Sequence, residues 1–360
     1  MRAPLGATLT AVIVSPLPWS ASAVSAYLGT TKEGAPLLAV GAEWPLSWVR
    51  TTAPLTKFER EWLYIRRYSS DRALATGAGH AFADVQQGAD PPDATVLTDA
   101  GRIGVESTSL TIEGRRGVHD LFAKLRRRLQ EAEPAAFAKL AGHVVYVWFQ
   151  DSDVPGPPVK PHKRTDDSAL DALVQALAEY QPDAESLTGE SGPPPERLPD
   201  LPVSETPAGA RFYALPLLGG VPGSMLFTIA GFDIALAYTT LITAEEAWGE
   251  VQRLVDSHDK PGVDLLLLSA GAPDDNGNVF PAEEALTSFL LANPIGMRRP
   301  PKHIDAVILH SWGTGRAATL YPELLPLFGP LYQSMTPVHH AFAAHPTGDD
   351  ADMGPGEAPA

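Results

Sequence analysis

Two short stretches of this chain are apolar at nearly every position: His143-Val144-Val145-Tyr146-Val147-Trp148-Phe149 and Val263-Asp264-Leu265-Leu266-Leu267-Leu268. A strand with one face in water alternates apolar and polar residues, so runs like these call for a sheet covered on both faces. Helical patterns stand beside them. Val118 to Glu131 puts Leu121, Phe122, Leu125 and Leu129 on one side. Ala244 to Ser257 begins after Thr243, with Glu246 three residues on, which is a capping box. Pro281 to Leu291 reads as a helix and Ile304 to His310 as a further strand. Strand–helix–strand alternation predicts parallel pairing. The expected fold class is α/β, a mixed central sheet flanked by helices.

Composition narrows the function classes. The chain has 360 residues, 44% of them apolar, enough for one elaborated domain or two at roughly 150 residues each. No run approaches the ~18 apolar residues of a membrane span, so no membrane partner is expected. Cysteine is absent, which excludes disulfides, Cys-ligated zinc, iron–sulfur clusters and thiol nucleophiles. The net charge of −16 is unevenly spread. Residues 57–150 hold 13 Lys/Arg against 12 Asp/Glu, whereas 151–205 hold 4 against 12. Within 102–128 there are seven basic residues and three acids, so an anionic ligand at that face is compatible with the overall charge.

Five parts follow. Residues 1–50 read as an N-terminal arm. Arg2, the small apolar residues 3–15 and Ala21-Ser22-Ala23 have the outline of a secretory signal, against which stand a single cation and the breakers Pro16 and Pro18. An over-extended start is the other reading, with a cytoplasmic location. Residues 51–150 form a core. Residues 151–205 are an acidic insertion or linker holding ten of the 35 prolines, interrupted by one short helix from Ser168 to Tyr180. Residues 206–345 are an α/β extension expected on the same sheet, and 346–360 a disordered tail.

The segment richest in chemistry is Pro91-Pro92-Asp93-Ala94-Thr95-Val96-Leu97, the turn Asp99-Ala100-Gly101, then Ile103-Gly104-Val105-Glu106-Ser107-Thr108. It predicts an antiparallel hairpin over 94–108. Asp93 opens one strand and Glu106 lies within the next, so the two acids come to one sheet edge. Paired carboxylates there can hold a hard divalent cation, Mg²⁺ or Mn²⁺. Such an ion polarises a phosphodiester and activates water. A solvent-facing Glu on an edge strand and an Asp in a turn is the plainer reading of the same residues.

Pro92-Asp93 followed by Glu106-Ser107-Thr108 resembles the PD-(D/E)XK, or restriction-endonuclease-like, nuclease superfamily. There the pattern is Pro-Asp, a turn, and Glu-x-Lys on the next strand. A helix at 58–67, the hairpin, the helix at 118–131 and the strand at 143–149 follow the order that this resemblance implies. Thr108 stands where the motif has lysine. The resemblance then implies a metal held by Asp93 and Glu106, a third acid from the preceding helix, and a cation supplied from elsewhere. Glu61 is the choice over Glu59, and Lys124 is the migrated cation, ahead of Arg115 and Arg116. Arg115, Arg116, Arg126, Arg127 and Arg128 would meet the phosphates of DNA or RNA; a solvated helix face explains them equally well. The expected function is a divalent-metal-dependent nuclease or a degenerate protein of that fold. The alternative is a non-catalytic α/β scaffold or interaction protein, which Thr108 and the net charge favour.

Overall fold

A computed structural model describes residues 8–13, 25–31, 34–41, 46–47, 54–77, 82–112, 115–149, 166–182, 204–206, 210–216, 227–229, 232–236, 239–275, 277–329 and 331. Its centre is a mixed seven-stranded sheet. Edge to edge the strands are Leu325–Phe328, Ala317–Tyr321, Ala306–Ser311, Leu265–Ala270, Gly101–Leu110, Ala94–Thr98 and Ala83–Gln87. Leu265–Ala270 runs parallel to both neighbours, and the remaining pairs are antiparallel.

The leucine run explains the layering. All six residues of Leu265–Ala270 are buried. Successive side chains point to opposite faces, so Leu265 and Leu267 enter one core while Leu266 and Leu268 enter another. Helix α1, Lys57–Thr76, covers the first face with Tyr64, Ile65 and Tyr68. Its buried stripe is 61, 64, 65 and 68, the i, i+3, i+4, i+7 pattern, while Trp62 is exposed. Thr56 and Glu59 close a capping box at its start, and Gly77 ends it in the left-handed region.

Four more helices complete the set among the described residues: α2, Arg115–Glu131; α3, Asp166–Glu179; α4, Ala244–His258; and α5, Ala285–Ala292. Helix α4 carries the expected Thr243–Glu246 box and covers the second face of the sheet with α5. The predicted helix from Pro281 is a 3-10 turn, Pro281–Glu284, running into α5. The 94–108 hairpin forms as expected, with Ala94 opposite Val105 and Thr98 opposite Gly101. Strands from both halves of the chain, Gly101–Leu110 and Leu265–Ala270 among them, share the seven-stranded sheet, whereas Arg211–Pro216 and Phe232–Leu236 lie outside it.

Strand His143–Trp148 lies elsewhere. It sits in a five-stranded sheet, ordered Phe227–Ile229, Phe232–Leu236, His143–Trp148, Arg211–Pro216 and Ser204–Glu205. Helices α2 and α3 and the 3-10 turn Pro134–Leu140 pack on it through Phe122, Leu125, Leu129, Phe137, Leu170, Leu173 and Leu177. Val145 and Val147 point into that core, while Tyr146 is half-buried and stacks on Tyr213 at 5.0 Å. The strand and the helix before it therefore belong to a separate layer inserted between Gly101–Leu110 and α4.

Most of the acidic stretch, 151–165, 183–203 and so the main part of the expected irregular segments, lies outside the described residues, as does the tail. Asp166 already opens α3, and Ser204–Glu205 pairs with Arg211 and Phe212. The region expected to be an N-terminal arm contributes strands Thr8–Ile13, Ser25–Thr30 and Pro36–Gly41, the last pairing with Thr239–Thr243. Leu38 and Val40 are fully buried under α4, so Pro36–Gly41 is built into the main core. Residues 21–23 lie outside the described residues.

Candidate functional site

The acids singled out in the sequence meet where the first turn of α1 crosses the hairpin. Asp93, Glu106 and Glu61 are all buried, at 5%, 2% and 7% exposure. The backbone holds the first two together. Asp93 N donates to Glu106 Oε2 at 3.1 Å, and Ser107 N donates to Asp93 Oδ2 at 2.9 Å. Glu61 comes from the sheet-facing stripe of α1, and Ser107 Oγ donates to its carbonyl at 3.3 Å. Glu59 is spent on the capping box, where Thr56 N donates to it at 2.8 Å, so of the two acids only Glu61 turns inward.

Two residues absent from the sequence reading complete the cluster. Lys57, the first residue of α1, places Nζ 3.3 Å from Asp93 Oδ1, 3.6 Å from Glu61 Oε1 and 3.1 Å from Asp90 Oδ1. The signal for it was the i, i+4 spacing of Lys57 and Glu61 on one helix face. His258, the last residue of α4, sets Nδ1 2.9 Å from Glu106 Oε1. A helix end 152 residues away in sequence leaves no local signature for that contact.

Electrostatics follow from crowding acids in a dry place. Burial, then the Asp93 charge, pushes the Glu61 carboxyl up to about 7, against the pull of Lys57 and Arg60. Burial also raises Asp93; the Ser107 N–H opposes it, Glu106 adds to it, and Lys57 opposes it. Burial alone would lower the Lys57 ammonium, but Asp90, Asp93 and Glu61 together hold it above the usual lysine range. Asp93 Oδ1 takes no hydrogen bond; Lys57 meets it as an ion pair.

These oxygens suit a hard cation. Asp93 Oδ1 and Glu61 Oε1 already share one positive charge, the ammonium of Lys57, so its position marks where an ion between them would lie. Among the described residues no three histidines or acids form a ligand set by themselves. Mg²⁺ is commonly bound by one or two carboxylates, with waters and substrate phosphates filling the other positions. Asp93 and Glu61 are the two carboxylates that could hold such an ion here. Glu106 is the supporting acid, engaged by the Asp93 N–H and His258.

Thr108 lies two residues after Glu106 on the same strand, half-buried on the α4 side. Lys124 does not join the cluster. It is exposed on α2, whose apolar face packs in the five-stranded layer. The basic residues likewise fail to form one face. Arg116 is tied inward: Nη2 donates to Glu283 Oε2 at 2.8 Å and to Ala272 O at 3.0 Å, and the guanidinium lies 4.7 Å from the Phe280 ring centre. Arg128 pairs with Asp167 and Asp171 of α3. Arg126 is half-buried, which pushes it down to about 10. Arg127 is exposed, and the Arg115 side chain lies outside the described residues. Among the described residues no helix is long and apolar enough to cross a membrane. Comparison with protein-family models, curated proteins and solved structures returns no match.

Proposed function

We propose that this chain is a divalent-cation-dependent phosphodiesterase of the nuclease type, acting on DNA or RNA at the Asp93–Glu61–Glu106 cluster. The observation that carries the reading is the convergence of these three buried acids from two adjacent strands and the helix across them. The element order adds support. Helix α1, three antiparallel strands, helix α4 and a strand parallel to the third follow in chain order along one sheet. With the insertion set aside, this is the helix–hairpin–helix–strand order of the PD-(D/E)XK resemblance, with α4 and Leu265–Ala270 in the places first given to 118–131 and 143–149.

In this reading Asp93 and Glu61 hold Mg²⁺ or Mn²⁺. The bound ion supplies Lewis acidity and a more acidic water. Glu106 fixes Asp93 through the backbone N–H and orients His258 at 2.9 Å, where the imidazole can accept or donate a proton. Thr108 offers one hydroxyl and no charge.

A second reading, the non-catalytic scaffold, is favoured by a specific observation: both hairpin acids already have partners, Glu106 in Asp93 N and His258, Asp93 in Ser107 N and Lys57. Plasmid, linear and single-stranded substrates with Mg²⁺ or Mn²⁺ decide between them. Cleavage by the wild type that is lost in Asp93→Asn and Glu106→Ala supports the nuclease. No cleavage of any substrate leaves the scaffold.

A further inference from the structure

The cluster carries its own cation, and its placement makes that cation removable. Asp93 and Glu61 show only 2% and 9% of their side chains, whereas the Lys57 side chain is 55% exposed and Asp90, its third partner, 67%. Lys57 therefore lies across the mouth, its side chain about half exposed and its ammonium on the buried acids. Asp93 Oδ1 has no hydrogen bond to fall back on, so the ammonium is its compensation in a dry setting. Without it, two crowded carboxylates would be left with mutual repulsion.

A divalent ion bonding the same oxygens at about 2.0–2.1 Å needs the space that the ammonium fills at 3.3 and 3.6 Å. Both cannot occupy it, because like charges that close repel strongly. We propose that Lys57 is a displaceable resident counter-ion: the site is closed by the ammonium and opened by a divalent metal, which competes with it for Asp93 and Glu61. Asp90, at the surface, already lies 3.1 Å from Nζ and would keep the ammonium at the mouth once it left Asp93 and Glu61, where an entering phosphate would meet it. This inference rests on the reading of the cluster as a cation-dependent phosphodiesterase site.

The test is Mn²⁺ binding by titration calorimetry and thermal melting of the full-length protein, comparing wild type, Lys57→Met, Lys57→Arg and Lys57→Met/Asp93→Asn. Lys57→Met is expected to bind Mn²⁺ at least about tenfold tighter than wild type. It should also melt lower without metal and recover when Mn²⁺ is added. Lys57→Arg should stay near wild type, and the double variant should lose binding. In the wild type itself, acylation of the Lys57 amine, read by mass spectrometry, should speed up several-fold with Mn²⁺; this needs no variant to fold. Lys57→Met binding no tighter than wild type, or an unchanged labelling rate, overturns the proposal. Cleavage keeps the two readings apart. A wild type that cleaves beside a Lys57→Met that gains no affinity sinks displacement and leaves the nuclease. Tighter Mn²⁺ binding without cleavage by either protein supports displacement and removes the nuclease.

Discussion

Replacing Arg116 by alanine should destabilise the protein strongly and leave any nucleic-acid affinity alone. The guanidinium makes two contacts with Glu283, at 2.8 and 3.5 Å, and a third with Ala272 O at 3.0 Å. The Glu283 side chain is 0% exposed and that of Arg116 21%. Removing one partner of a buried pair leaves the other charged and dry, which costs about 3–5 kcal/mol. The residual exposure of Arg116 argues for the lower end, about 3 kcal/mol. Lost stacking on Phe280 adds on the order of 1 kcal/mol. The matched change Arg116→Met/Glu283→Gln removes both charges at similar volume and should recover most of the loss. Urea unfolding of wild type, Arg116→Met, Glu283→Gln and the double variant closes the cycle, with Arg116→Ala measured beside it. A loss below about 1 kcal/mol for Arg116→Ala would place the residue among weak surface pairs and refute the reasoning. So would an equal loss in Arg127→Ala, because Arg127 is exposed.

Three more expectations follow from the same contacts. Burial pushes Glu284 up from 4.5 to about 7 despite donors on Ser311, Gly313 and Thr314; the folded value exceeds the unfolded one, so its contribution is full below pH 4.5 and lost as pH rises through 7, on the order of 3 kcal/mol. Unfolding measured from pH 4.5 to 8 should therefore slope less in Glu284→Gln than in wild type, and parallel profiles would count against it. A Cβ on Gly104 would collide with the carbonyl oxygen of Gly262, which is backbone and cannot step aside; Gly104→Ala should cost about 1–3 kcal/mol in denaturant, and a neutral result would mean that the loop after α4 is free to move. Asp71 is 0% exposed and accepts from His310, whose Nε2 lies 2.9 Å away; Asp71→Ala strands a buried donor for about 1–3 kcal/mol, read as a lower Tm, and an unchanged Tm would contradict the contact.

Much of the local structure was written in short signals. Asp99-Ala100-Gly101 between apolar runs marked the hairpin, and Thr243 with Glu246 marked the start of α4, because turns and caps depend on neighbours a few residues apart. The leucine run identified a strand covered on both faces. What failed was adjacency. The nearest helix and strand after the hairpin, 118–131 and 143–149, have the same apolar pattern as 244–258 and 265–270, and pattern alone does not say which pair lies beside Glu106. Burial decides: Val105 and Leu265 share a core, whereas Val145 joins α2 and α3. The site was legible in part for the same reason. Asp93 and Glu106 are linked by a hairpin, and Glu61 by helix periodicity, but Lys57 and His258 reach the cluster through tertiary packing.

The insertion has a consequence for synthesis. Gly104 N donates to Asp264 across 160 residues, and Val105–Leu110 pairs in parallel with Leu265–Ala270, equally distant in sequence. At ~5–20 residues per second of translation, one side of the hairpin stays without its partner for roughly 8–30 s after it leaves the ribosome. During that interval Val105 offers an unpaired apolar edge of the sort that invites pairing with another chain. Glu106, next to it, is then a charge on an open edge, which discourages such pairing. The acid that ends up buried beside His258 would thus first serve the nascent chain as a guard, and stalled chains ending near residue 200 that carry Glu106→Val should aggregate more readily than those that keep the glutamate.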